Sequence, residues 1–270
     1  MKAIVLTFDR HRAITQHLIL QYERIWPHHP FRFRIPYQQL RGPDSERVEY
    51  VESPPEIAAT VLRLLQDIED EEWVYWCSDD KYPIHFIVEK VNELFHYIIT
   101  TTSEISGLLF CRTRVTLDQP ELSLLPRQGV TPAGDVLLER KGWYQIWIHQ
   151  FLKAKVLRSL FSQLPLEIPS AKALDDLKDQ IPKPDEYHLF VTEQNFAVFG
   201  ESTKRGVITR NCLESIRQTD IELPEWFQRS NGEWVTMGRL PEDTLWQRFR
   251  RWLSRSGCFQ RQSGSDLPIF

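Results

Sequence analysis

The stretch Glu71–Pro83, EEWVYWCSDDKYP, decides how the rest of the chain is read. Trp73, Val74, Tyr75 and Trp76 form an uninterrupted apolar, aromatic run that ends abruptly in Ser78-Asp79-Asp80, followed by Lys81-Tyr82-Pro83. Such a run reads as a strand buried on both faces. Two adjacent carboxylates where a strand leaves the core are costly near apolar surface unless something positive compensates. In open α/β sheets, ligands bind beyond the carboxyl ends of the strands. A cationic side chain, or a divalent metal carrying a phosphate, is therefore expected beside Asp79 and Asp80. The plainer alternative is a solvated turn whose aspartates start the next helix.

On the N-terminal side, Ala3–Phe8 (AIVLTF) predicts a first, central strand that runs into the polar loop Thr7–Arg12. Ile14, Leu18, Tyr22 and Ile25 recur at helical spacing, and Trp26-Pro27 closes that helix. Pro30–Pro36 alternates Phe31, Phe33 and Ile35 with Arg32 and Arg34, the pattern of a half-buried strand near an edge. Val48–Val51 predicts a short strand, and Pro54 opens a helix with Ile57, Val61, Leu64, Leu65 and Ile68 on its apolar face. After the Trp73 strand, Pro83–Tyr97 predicts a further helix through Ile87, Val91, Leu94, Phe95 and Ile98. The order β-α-β-(β)-α-β-α puts the Asp9 and Asp79 loops on one carboxyl edge, as in a nucleotide-binding half of a doubly wound sheet.

On the C-terminal side, Ile105–Arg112 predicts a fourth buried strand and Asp118–Gly134 a long loop. Val136–Leu138 is a short strand, and Trp143–Phe161 is helical, most clearly in its second half. Ala171–Gln180 is a short acidic helix whose Asp175 and Asp176 are either catalytic or surface residues. Strand-like runs at Tyr187–Val191 and Phe196–Phe199 precede a polar loop between Gly200 and Gly206, then a helix over Thr209–Thr219. The expected organisation is one α/β domain over 1–238, with a nucleotide-binding half at 1–100 and an acceptor half at 101–238. Residues 239–270 form a separate C-terminal segment. Within it, Asp243–Arg255 sets Leu245, Phe249, Trp252 and Leu253 against four arginines. That pattern suits peripheral contact with an anionic membrane face, or packing on the domain.

The whole-chain totals narrow the function classes. A net charge of −4 over 270 residues argues against a general nucleic-acid binder. Cys77, Cys111, Cys212 and Cys258 lack C-x-x-C spacing and read as buried free thiols of a reducing compartment. No apolar run approaches the roughly 20 residues that cross a bilayer, and Met1-Lys2 leads straight into a strand, so a cytoplasmic protein is expected. P-loop, dinucleotide-binding, α/β-hydrolase and zincin motifs are absent.

With these residues in view, the chain resembles a GT-A type nucleotide-sugar glycosyltransferase, close to the bacterial and viral family-2-like enzymes. The resemblance runs from about Lys2 to Phe227 and is best in order and spacing over the first hundred residues. It implies a single GT-A-like α/β domain, a mostly parallel central sheet flanked by helices and built from two abutting Rossmann-like halves. It implies that Thr7, Phe8, Asp9 and Arg10 contact the base and ribose of the donor. Ser78 would hold a ribose hydroxyl, Asp79 a sugar or ribose hydroxyl close to the chemistry, and Asp80 the diphosphate through Mn2+ or Mg2+. Gln145 and Trp147 resemble an acceptor-lining segment, and the Gly200–Gly206 loop supplies Glu201 as the base, with Asp175 or Asp176 as the alternatives. His149 and His188 are further candidates for a metal shell. The sequence departs from the family at one point: the D-x-D pair is replaced by Ser78-Asp79-Asp80. A single strong ligand binds a divalent cation weakly unless diphosphate oxygens complete the shell. Arg10, Arg12 or Lys204-Arg205 would then neutralise the leaving diphosphate. The resemblance implies transfer of a hexosyl group from a nucleoside-diphosphate sugar to a glycan or lipid-linked acceptor, in polysaccharide or cell-envelope glycan synthesis. Two alternatives stand beside it. The broken D-x-D suits an inactive nucleotide-sugar-binding scaffold. A sugar nucleotidyltransferase would share the fold but lacks its glycine-rich loop here.

Overall fold

The apolar run of the opening stretch forms β4 (Trp73–Ser78), buried on both faces as its composition requires. In the computed structural model, which describes residues 1–102, 104–113, 119–167 and 171–238, β4 lies inside a nine-stranded sheet. Its first-half neighbours are β1 (Lys2–Leu6), β2 (Arg32–Tyr37) and β3 (Val48–Glu52), and the quartet β3-β2-β1-β4 is parallel. The helices α1 (Arg12–Ile25) and α2 (Ile57–Leu64) make the crossovers. Alternate residues of β1 and β4 face two separate cores, because successive side chains of a strand point to opposite faces. Ala3, Val5, Tyr75 and Cys77 join α1 and α3 (Val88–Thr100) on one side. Ile4, Leu6, Val74 and Trp76 join α2 and a later helix on the other.

The second half extends the same sheet. It contributes β6 (Ile105–Leu109), β7 (Leu124–Val130), β8 (Val136–Arg140), β9 (Gln150–Lys153) and β10 (His188–Thr192), with a helical turn α4 (Pro120–Ser123) before β7. β9 inserts antiparallel between β4 and β6, so a strand of the later half is hydrogen-bonded directly to the central strand of the earlier one. The helices α5 (Ala154–Gln163) and α6 (Ala171–Lys178) follow β9. A second, antiparallel sheet in the order β14-β11-β5 consists of β5 (Lys81–Phe86), β11 (Ala197–Glu201) and β14 (Thr236–Met237). A small hairpin, β12 (Thr203–Lys204) and β13 (Val207–Ile208), leads to α7 (Arg210–Ile216). The fold is thus α/β with a large, mostly parallel sheet flanked by helices, as expected.

Several local expectations are corrected. Lys81–Phe86 is a strand and the following helix begins only at Val88, so Asp79-Asp80 is a turn between two strands and not a helix start. Leu124–Val130 is a strand inside the stretch read as loop. These two strands contain proline (Pro83, Pro126) and both end their sheets, where a missing backbone N–H is tolerated. The first part of Trp143–Phe161 is a turn followed by β9, and α5 begins at Ala154. β2 is an interior strand, and Arg34 is buried, donating to Leu64 O (2.9 Å) and to Asp67 (2.5 Å). The basic segment at 243–255 lies outside the described residues. Among those described, no helix is long and apolar enough to cross a membrane.

Candidate functional site

β1 and β4 are adjacent and parallel, with Leu6 paired to Ser78, so their carboxyl ends open side by side. Hydrogen bonds tie the two ends together. The amide of Asp79 donates to Leu6 O (3.0 Å), and Thr7 Oγ1 donates to Asp79 Oδ2 (2.5 Å) while meeting Thr15 Oγ1 at 2.7 Å. His11 Nδ1 lies 2.9 Å from the same Oδ2. Burial opposes a charged imidazole, but the hydrogen bond and charge of Asp79 outweigh it and raise the His11 pKa above its ordinary value. Asp79 is itself buried. Its carboxylate therefore acts as the joint between the two strand ends.

Asp80 is the more exposed of the two aspartates and, with Asp79, borders a cleft of about 540 Å³ lined by Phe8, His11, Trp147, Lys172, Asp175 and Arg205, among others. Ser78 Oγ donates to its Oδ1, and Lys81 Nζ donates to its Oδ2 at 2.7 Å. Desolvation works against the Asp80 charge, yet Lys81 and Ser78 hold its pKa below the ordinary carboxylate value. The turn is fixed from behind. Ser202 N donates to Asp80 O (2.6 Å), and the ring of buried His149 bridges Tyr22 OH (2.7 Å from Nδ1) and the Ser78 carbonyl (2.9 Å from Nε2). Full burial pushes the His149 pKa down to about 4, and both ring nitrogens are engaged by Tyr22 and Ser78, so it is a neutral strut behind the turn with no nitrogen free for a metal shell. His188 is likewise engaged, with Glu139 at 2.8 Å.

Glu201 ends β11 directly opposite Lys81. Paired residues of an antiparallel ladder project on the same face, so the Glu201 carboxyl and the Lys81 ammonium are neighbours. Desolvation, with Asp80 adding repulsion, raises the Glu201 pKa despite the attraction of Lys81. Trp147 lies on the far wall of the cleft, its Nε1 donating to Asp175 at 2.6 Å. Asp175 also pairs with Lys178 (3.1 Å).

The structure thus brings Phe8, Ser78, Asp79, Asp80 and Trp147 to one cleft, with Thr7 buried behind it and Glu201 beside Lys81. Other candidates point elsewhere. Asp9 accepts from the amides of Gln39 (2.7 Å) and Leu40 (2.9 Å), more loosely from Gln38, and from Arg12 (3.2 Å). Arg10 is exposed over the Trp226 ring, 5.7 Å from its centroid. Gln145, with a left-handed backbone (φ 61°), accepts from Thr113 N at 3.3 Å and does not line the cleft. Lys81, His11 and Lys172 had no assigned role in the sequence. Lys81 had a signal, since it directly follows the two aspartates at a buried strand end.

These residues do not fit a divalent cation at Asp80. Both Asp80 oxygens already have partners, and Asp79 Oδ2 has two. Among the described residues, no three His, Cys, Asp or Glu side chains converge as a ligand set.

Comparison with known proteins gives distant likenesses. The galactosyltransferase LgtC, solved in complex with donor and acceptor sugar analogs, is 12% identical over 97% of each chain, with a TM-score of 0.39. Residues 1–349 of S. aureus TarS, solved in complex with UDP-GlcNAc, are 16% identical over 83% of this chain and 68% of that one, with a TM-score of 0.42. The 2-C-methyl-D-erythritol 4-phosphate cytidylyltransferase of Thermus thermophilus is 10% identical over 80% of this chain and 97% of that one, with a TM-score of 0.43. No protein-family model and no curated protein matches the chain. Likenesses this distant leave substrate and chemistry to be argued from the chain's own residues.

Proposed function

We propose that the chain is a glycosyltransferase that moves a sugar from a nucleoside-diphosphate sugar to a glycan or lipid-linked acceptor, with the donor in the cleft beyond β1 and β4. The observation that carries this reading is the composition of the cleft. Apolar Leu6, Phe8 and Ile57 lie beside Lys81, Lys172 and Arg205 around the acidic turn. A nucleoside diphosphate needs that combination: an apolar wall for the base, cations for the diphosphate, and carboxylates for sugar hydroxyls. The place also agrees with the general position of ligands in open α/β sheets.

In an inverting transfer, the acceptor hydroxyl oxygen bonds to the anomeric carbon as the bond from that carbon to the diphosphate oxygen breaks. The hydroxyl proton goes to a base, and the nucleoside diphosphate departs with the bonding pair. Glu201 fits the base role, since its raised pKa makes it a better proton acceptor than an ordinary surface carboxylate. Trp147 offers a flat apolar wall suited to the acceptor sugar, and Asp79 remains a hydroxyl contact close to the reacting carbon.

Incubating the full chain with UDP- and GDP-sugars and following nucleotide release tests the proposal. Slow hydrolysis is expected with at least one donor, and Glu201→Gln should lower its rate by about 10²-fold or more while leaving UDP binding intact. Absence of release with any donor and any added acceptor would favour a binding scaffold of the same fold.

A further inference from the structure

We infer that the ammonium of Lys81 takes the place of a divalent cation at the acidic strand end, so that the donor diphosphate binds without metal. The inference rests on the donor-site reading above and deepens it.

Lys81 is the first residue of β5, and its side chain is only 9% exposed. Its position is set by the chain on both sides. β5 pairs with β11 through Glu201, and the Ser202 amide clamps the preceding Asp80 carbonyl. The ammonium meets Asp80 Oδ2 at 2.7 Å, on the carboxylate that a metal would otherwise use. An ammonium carries three N–H donors, so two remain for diphosphate oxygens on the cleft side. A lysine held this way is a fixed point charge and presents charge-assisted donors to the leaving group without reorganisation.

Charge balance agrees. Of the acidic groups lining the cleft, Asp79 is met by His11, Asp80 by Lys81, and Asp175 by Lys178 from outside the lining. Lys172 and Arg205 stand on the cleft wall in addition, Arg205 at the turn of the β12–β13 hairpin. Asp80 and Glu201 are the other charged groups facing Lys81; Asp80 is already matched, and the Glu201 charge offsets one of the two extra cations. The cleft therefore offers the cationic side chains of Lys81, Lys172 and Arg205 to a diphosphate before any ion is added, whereas a D-x-D pair without cations would repel it.

Calorimetric titration of the full chain with UDP, once in EDTA and once with Mn2+, tests this. Affinities within about twofold of each other are expected. In EDTA, Lys81→Met should weaken binding by about tenfold or more, and Lys81→Arg should keep it within about threefold of the parent. Binding at least tenfold weaker in EDTA than in Mn2+ would overturn the inference and leave the donor site standing. So would an unchanged affinity in Lys81→Met. If neither UDP nor GDP binds under either condition, the donor-site reading fails and Lys81 loses its role with it. Should Lys81→Met not fold, the parent protein in EDTA and Lys81→Arg decide the matter between them.

Discussion

At the carboxyl end of β1, Asp9 accepts hydrogen bonds from the backbone amides of Gln38, Gln39 and Leu40 and pairs with Arg12. At the carboxyl end of β4, the next strand in the sheet, the Asp80 carboxylate meets the side chains of Ser78 and Lys81 and opens onto the cleft. Both aspartates end parallel strands, and both have a pKa held low. For Asp9, desolvation is outweighed mainly by the three backbone amides. For Asp80, it is outweighed by Lys81 and then Ser78. A carboxylate whose partners are backbone amides fixes a turn. One whose partners are an ammonium and a hydroxyl holds side chains that border the cleft, and the ammonium's remaining donors can meet a ligand's oxygens. The shared edge of the sheet thus supports two different jobs, and the chemistry of the partners distinguishes them.

The contrast is open to direct attack. Asp9→Ala strands three amide donors of the Gln38–Leu40 turn and should cost about 2–4 kcal/mol in urea unfolding, with UDP affinity of the folded protein nearly unchanged. Unchanged stability with weakened UDP binding would reverse the assignment and make Asp9 a donor contact. A smaller loss, about 1–3 kcal/mol, is expected for Gly200→Ala, which concerns only the β4 side. A Cβ at Gly200 would lie 2.6 Å from the Tyr82 ring, whose hydroxyl accepts from Asn211 Nδ2 at 2.8 Å, so β11 would be pushed off β5 beside Lys81. A thermal scan that shows no loss would mean that the second sheet does not seat the acidic turn rigidly.

The smallest effect concerns the joint between the two ends. His11 has a raised pKa in the folded protein, so the stability from its bond to Asp79 is fully present below the ordinary value of 6.5. That stability is lost as the pH climbs through the raised value. Melting temperatures should therefore fall over that window, and His11→Asn should flatten the slope. An identical slope in the variant would remove His11 from the joint.

The order of residues was enough to specify the strand at Trp73–Ser78, its burial on both faces, and the α/β succession of the first hundred residues. Apolar runs and helical spacing are local signals, and long buried elements display them without reference to partners. The same logic placed Phe8, Asp79 and Asp80 near one site, because strand ends in a parallel sheet share an edge, whereas Trp147 followed only from the family resemblance. Other features came into being only with the folded chain. Strands β5 and β7, each carrying a proline, are held by one neighbour from far along the chain or across a turn, and their own residues carry a weak strand signal. The insertion of β9 between β4 and β6 depends on a pairing with no local mark. The separate fates of Asp9 and Asp80 were equally hidden, since a carboxylate's role is set by the donors that reach it. Those donors come from Gln39 and Leu40 in one case, and from Lys81, aligned by Glu201 and Ser202, in the other. The acidic turn was visible in thirteen residues, but the cation that answers it acquired its place only when β5 met β11.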